Sequence, residues 1–297
     1  MREKIKFLAI LNSNAGRRGK LKLINDVIEL VKKNHEIEVF KTQSEKEAKA
    51  VFKTISKRNF DRLVVIGGDG TMFFTINEMI NNNIDNKAIA YIPAGTANIL
   101  QFETQIKNKT QDIYKVLTSD KFKRINLTKI NEKYFFLMTG VGFDSKIIGS
   151  INKNLKSYFG KFLFVYKIFQ NFLFLKNKKI NIEINGEEIY ADWIICTNSK
   201  YYAGSYSITN DTNIFESNII VYIFKDLTRL KLIHYIWLIL IKGDISSAKS
   251  LIKKNLVSLK INGVSGKFLS QVDGENFGYC NKLLISKTNK FVNLLVP

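Results

Sequence analysis

Over roughly its first 120 residues the chain repeats one pattern four times: a short apolar run rich in β-branched residues, a loop, then apolar residues at helical spacing. The runs are KIKFLAIL (4–11), EIEVFK (36–41), RLVVI (62–66) and AIAYI (88–92). Leu21, Ile24, Val27, Ile28 and Val31 fall on one helical face. Ala48, Val51, Phe52 and Ile55 fall on another, behind a capping-box spacing of Ser44 and Glu47. Alternating strands and helices bury both kinds of apolar face by stacking helices on a parallel sheet, so an α/β domain is expected here.

From about residue 124 the period changes. KRINLTKI, KYFFLMTG, KINIEING, EEIYADWIICTN, NIIVYIF, LVSLKING, KFLSQVDG and KLLISK read as strands, with hairpin turns expected at the Asn-Gly pairs 185–186 and 262–263. A mainly antiparallel second domain follows from this, interrupted by an aromatic helix at 158–175 and a helical pair near 228–254. No linker marks the boundary, so domains of 1–124 and 125–297 rest on periodicity alone, with the last strand able to return toward the first domain.

The two segments richest in apolar residues, 158–176 and 232–242, are too charged or too short to span a bilayer. The N-terminal apolar run reads as a first strand rather than a secretory segment. Two cysteines make no disulfide framework and suit a reducing, cytoplasmic compartment. His35 and His234 are isolated, so neither a Ser–His–Asp set nor a Cys/His metal site is present in the pattern. The net charge of +20 attracts anionic lipid headgroups or nucleotides, with composition bias as the alternative and no nucleic acid expected.

In a parallel sheet, ligands collect beyond the carboxyl ends of the strands. Three glycine loops fall there: NSNAGRRG after the first strand, GGDGT (67–71) after the third, and PAGTAN (93–98) after the fourth. Glycines let successive N–H groups converge on phosphate oxygens, and the helix behind each loop adds its positive end. Thr71 and Thr96 add hydroxyl donors. Neither a P-loop nor a G-x-G-x-x-G fingerprint is present. Asp69 is the anomaly, an acid inside an anion loop: it caps a helix, or it acts through a divalent cation or a substrate hydroxyl.

GGDGT, PAGTAN, GVGFDSKI (140–147) and QVDGE (271–275), in that order, resemble the diacylglycerol kinase catalytic-domain family, which includes bacterial lipid kinases and the sphingosine and ceramide kinases. The resemblance runs nearly end to end. It implies a phosphofructokinase- and NAD-kinase-like α/β domain, a C-terminal antiparallel β-sandwich, and an active site between them. ATP and Mg would be the cofactors, and the hydroxyl of a lipid such as diacylglycerol the acceptor. Glu275 and Asp69 would be catalytic, with Glu275 the general base. Asn12, Gly16, Thr42, Gly67, Gly68, Asp69, Gly70, Thr71 and Thr96 would bind the nucleotide, and Asn98 and Asp144 the substrate. Partners would be the lipid and an anionic membrane surface on its inner, cytoplasmic face; a homo-oligomer is compatible with the sequence.

The chain departs from the family at three points. Ser13 replaces a proline, Phe73 and Phe74 follow the GGDGT motif, and a segment that binds a structural Mg in some bacterial enzymes reads Glu216–Ser217–Asn218–Ile219–Ile220. Glu216 is the one acid left there as a metal ligand. Two other functions stay open: an NAD kinase, which shares GGDGT, and a non-catalytic lipid- or nucleotide-binding protein of the same fold.

Overall fold

A computed structural model describes residues 3–13, 18–150, 170–173, 179–184, 186–255 and 257–297. Gly16, Asn185 and most of the aromatic 158–175 segment lie outside the described residues. The chain divides into two compact units, Met1–Ile125 with Phe291–Pro297, and Asn126–Lys290.

In the first unit, β1 (Lys6–Asn12), α1 (Arg18–Lys32), β2 (Glu36–Thr42), α2 (Glu45–Ile55), β3 (Arg62–Gly67), α3 (Asp69–Asn81), β4 (Ala88–Pro93), α4 (Ile99–Thr104) and α5 (Thr110–Thr118) follow one another. The strands lie in the order β2-β1-β3-β4, all parallel. Leu294, near the C-terminus, pairs in parallel with Ile89 on the far side of β4. Every residue of β3 and β4 but the first is buried, because helices cover the central strands; β2, at the edge, alternates and stays half exposed. Ile24, Val27, Ile28 and Val31 are buried as the spacing requires, whereas Leu21 keeps 45% of its surface in solvent. Ser44 caps α2 by accepting the Glu47 N–H at 3.3 Å, and the Glu47 carboxylate reaches back to the Gln43 N–H.

The second unit is built from antiparallel strands. β5 (Phe122–Ile130) leads into β6 (Lys133–Phe135), β7 (Met138–Val141), α6 (Phe143–Gly149), β8 (Ile180–Ile184), β9 (Glu187–Ala191), β10 (Trp193–Thr197), β11 (Tyr201–Tyr202), β12 (Tyr206–Ser207) and β13 (Ile220–Phe224). Helix α7 (Arg229–Trp237) continues into a π-helical turn, Leu238–Lys242. Then come β14 (Leu251–Asn255), β15 (Ser258–Gly263), β16 (Phe268–Val272), β17 (Glu275–Cys280) and β18 (Lys282–Leu295). One sheet runs β18-β15-β8-β9, with β5 on β18 and β6 on β5; the other runs β14-β13-β10-β7-β16-β17. A parallel α/β part and an antiparallel β part are thus both present, as the two periodicities require.

Several local expectations are corrected. KYFFLMTG is not one strand: it breaks after Phe135, because the N–H groups of Phe136 and Leu137 donate to the Asp273 carboxylate instead of a neighbouring strand. EEIYADWIICTN breaks at Asp192 and passes from one sheet to the other, the Asp192 carboxylate accepting the Leu227 N–H at 2.7 Å. Residues 251–255 form a strand paired with β13, not the second half of a helical pair. The Asn-Gly pair at 262–263 joins no hairpin, since β15 pairs with β8 and β18 and not with β16. Of the pair at 185–186, Asn185 lies outside the described residues; Gly186, at φ +83°, precedes β9, which pairs antiparallel with β8.

Candidate active site

Parallel pairing puts the first unit's loops in register. Asn12 lies opposite Thr42 at the ends of β1 and β2, and Gly67 opposite Pro93 at the ends of β3 and β4. The Asn12 side-chain amide donates to Thr71 Oγ1 at 3.1 Å, joining the first glycine loop to the second. Thr42 is buried, its hydroxyl donating to the Leu11 carbonyl at 3.4 Å. The Thr71 side chain lies over Gly67, where a Cβ would come within 2.4 Å of its Oγ1.

The second and third loops touch through their glycines. A Cβ on Gly95 would sit 2.5 Å from Gly68 Cα and 2.6 Å from Asn98 Oδ1, so the backbones meet where neither residue has a side chain. Lys20 Nζ reaches across from α1 to the Gly95 carbonyl at 3.0 Å. Asn98 is buried in the left-handed region (φ +48°); it accepts from the Tyr91 hydroxyl at 3.2 Å and donates to the Gly95 carbonyl at 3.0 Å. Thr96 is half-buried in the bend between β4 and α4, and Gly70 sits in the first turn of α3.

Asp69 has a definite place in this arrangement. Its carboxylate is buried, accepting the N–H of Ile99 at 2.9 Å and that of Leu100 at 3.1 Å. The acid therefore caps α4, the helix behind the third loop, rather than its own helix. α3 begins behind Gly68 with no side-chain cap on its first N–H groups. Burial, and after it the negative charge of Asp69, holds the Tyr91 hydroxyl well above its ordinary pKa.

The second unit brings GVGFD and QVDGE together. Asp144 is fully buried; its Oδ1 accepts from the Ser145 N–H at 2.8 Å and Trp193 Nε1 at 3.0 Å, and its Oδ2 from Gln271 Nε2 at 3.0 Å. The spacing of the motif follows. A Cβ on Gly140 would lie 2.0 Å from Asp144 Oδ2, and Gly142 takes φ +113° with its backbone against the Asp192 carbonyl. Burial lifts the Asp144 pKa from 3.8 to about 6, against the pull of its three donors. Buried, with Ser145, Trp193 and Gln271 donating to it, the Asp144 carboxylate holds these neighbours together.

Gln271 carries the link onward, its Oε1 accepting the Gly274 N–H at 3.1 Å. Asp273 and Gly274 both have positive φ, +47° and +76°, as a two-residue hairpin between β16 and β17 requires. The buried Asp273 carboxylate accepts the N–H groups of Phe136 (3.2 Å), Leu137 (2.9 Å) and Met138 (2.9 Å). Glu275, half-buried, is the first residue after this turn and pairs with Val272. Gln271, Asp273, Trp193 and Lys20 were not singled out from the sequence. Asp273 alone left a signal, an Asp before a turn glycine.

Glu216 is exposed and accepts from the Asn213 side-chain amide. Among the described residues no group of three or more His, Cys, Asp or Glu side chains is gathered as a metal site, so Glu216 has no such set around it.

Residues 6–130 match the family model described as the diacylglycerol kinase catalytic domain. A diacylglycerol kinase of Staphylococcus haemolyticus (strain JCSC1435) is 23% identical over 277 residues, covering 91% of this chain and 82% of that protein. A relative from Staphylococcus carnosus (strain TM300) is 26% identical over 170 residues, 57% of this chain, which spans only about half (55%) of that protein. A crystal structure of a Bacillus anthracis str. Sterne protein superposes with a TM-score of 0.81 at 19% identity, covering 100% of this chain and 97% of that one; it shares the fold. Residues 6–130, which hold the GGDGT and PAGTAN loops, are thus similar to the diacylglycerol kinase catalytic-domain family.

Proposed function

We propose that this protein is an ATP-dependent lipid kinase that transfers the γ-phosphoryl group to a lipid hydroxyl, with diacylglycerol as the representative acceptor. The observation that carries this reading is the uncapped start of α3 behind Gly67 and Gly68, held in place while Asp69 spends its charge on α4. Such a start offers N–H groups and a positive helix end to a phosphate chain without further rearrangement.

In this reading Asn12, Thr42, Thr71 and Thr96 border the nucleotide, and Asp69 positions the loops that grip it. Magnesium suits these residues as the counter-ion of the nucleotide's own phosphates, since Asp69 is committed to two amides and no acidic cluster gathers among the described residues. When bound, MgATP supplies the phosphoryl group and neutralises its charge. Glu275 accepts the proton of the acceptor hydroxyl, a role favoured by the clamped Asp273–Gly274 turn that carries it.

The test is transfer of label from γ-labelled ATP in the presence of mixed vesicles containing diacylglycerol. Label in the organic extract supports the proposal. Label in NADP when NAD is supplied points to the nucleotide kinase, and no label in either fraction points to a binding protein.

A further inference from the structure

Helix α7 and its π-helical continuation, RLKLIHYIWLILIK (229–242), contain no acidic residue. One face is buried: Leu232, Tyr235 and Leu238 belong to a core cluster with Trp193 and Phe224, and Ile236 and Ile239 pack against it. The opposite face is turned to solvent and is apolar but for His234, which is exposed and stacks on the Trp237 ring. Leu230 is 79% exposed, Ile233 51%, Trp237 47%, Leu240 52% and Ile241 68%. The π turn, closed by Gly243 N–H to the Leu238 carbonyl at 3.0 Å, places an extra residue in the last turn and leaves both Leu240 and Ile241 outside.

Cations border this stripe. Arg229 and Lys231 stand at its start, their side chains bonded to the carbonyls of Leu173 and Lys225, which leaves their charge uncompensated by those partners. At its end Lys242 lies 5.7 Å from the centre of the Trp237 ring. The nearest acids in sequence are engaged, Asp226 with Lys179 and Asp244 with the Ser246 N–H. An apolar stripe with an interfacial tryptophan, basic ends and no acid is complementary to one surface, a bilayer with anionic headgroups. Among the described residues no helix is long and apolar enough to cross a membrane, so the contact is lateral.

We propose that α7 lies in the interface of an anionic bilayer, Leu230, Ile233, Trp237 and Ile241 entering the acyl boundary and Arg229, Lys231 and Lys242 meeting the headgroups. This inference rests on the lipid-kinase reading for its purpose, since such an acceptor is delivered in a membrane, but its test needs no catalysis.

The two tryptophans give the readout: Trp193 is buried and Trp237 half exposed. Vesicles of phosphatidylcholine with roughly 30% phosphatidylglycerol, whose surface potential is negative, should shift the emission of the full chain to shorter wavelength. The shift should vanish in Trp237→Phe. Leu230→Gln with Ile241→Gln, both outward-facing, should weaken co-flotation about tenfold or more while leaving the melting temperature unchanged. Replacing Arg229, Lys231 and Lys242 by Gln should weaken it about fivefold per charge and flatten its salt dependence. Phosphorylation of a short-chain acceptor dispersed in detergent should persist in these variants; its absence from the wild type would count against the kinase reading alone. Four results overturn the docking proposal: equal binding to neutral vesicles, binding indifferent to the variants, Trp237 emission already blue-shifted without lipid, or a dimer that the variants dissociate.

Discussion

The Asp69 carboxylate accepts the N–H of Ile99 at 2.9 Å across 30 residues of sequence, and this bond, with its neighbour to Leu100, ties the GGDGT loop to the helix behind PAGTAN. The place of an acid inside this loop is thereby explained: its charge is taken up by the start of α4, while the start of α3 carries no side-chain cap.

Asp69→Asn tests that division. Asparagine keeps one acceptor but turns an N–H₂ donor toward an N–H donor, which costs about 1–3 kcal/mol. Chemical denaturation should show the loss, and isothermal titration should show weaker binding of a non-hydrolysable ATP analogue as the loops part. Unaltered stability with unaltered nucleotide affinity would contradict it.

The Gly68–Gly95 contact predicts that one methyl group is enough to disturb the nucleotide loops. In Gly95→Ala the new Cβ meets Gly68 Cα at 2.5 Å, and overpacking of this kind costs about 1–3 kcal/mol. Nucleotide affinity should fall, whereas Gly186→Ala, where nothing lies within 4 Å, should leave it unchanged and act only through its positive φ.

Glu275 and Asp273 are separable by kinetics. Glu275→Gln keeps the half-buried side chain's shape and should lower kcat by about 10²–10⁴ with the fold intact. Asp273→Asn retains a residue that tolerates φ +47°, yet loses the charge bonded to three amides. It should cost roughly 1.5–3 kcal/mol of stability before any effect on rate is considered. Equal turnover of Glu275→Gln and wild type would remove the general-base assignment.

Asp144 makes a pH prediction. Its folded pKa of about 6 lies above the 3.8 of the unfolded chain, so the native state binds the proton more tightly. The stability this confers is complete below pH 3.8 and is lost as pH rises through about 6, a change of roughly 3 kcal/mol. Asp144→Asn should abolish that slope. Urea midpoints of the two proteins between pH 4 and 8 give the difference directly; parallel profiles would show that Asp144 does not titrate in this range.

The first unit was legible because its signals are local. Ile24, Val27 and Val31 repeat at helical spacing, Ser44 precedes Glu47, and each glycine loop directly follows its strand, so pattern alone implies element type and the place of the loops. Tertiary structure decided what neighbours in sequence do not reveal. KYFFLMTG divides after Phe135 because the acid that takes its N–H groups is Asp273, 137 residues away. LIKKN (251–255) is a strand because β13 offers it a ladder. Asp69 is a cap for α4, and Asp144 a buried link to Gln271, because chain closure brings a carboxylate to donors that its own segment cannot supply. A hydrophobic period is a property of consecutive residues; the partner of a buried polar group is a property of the folded chain.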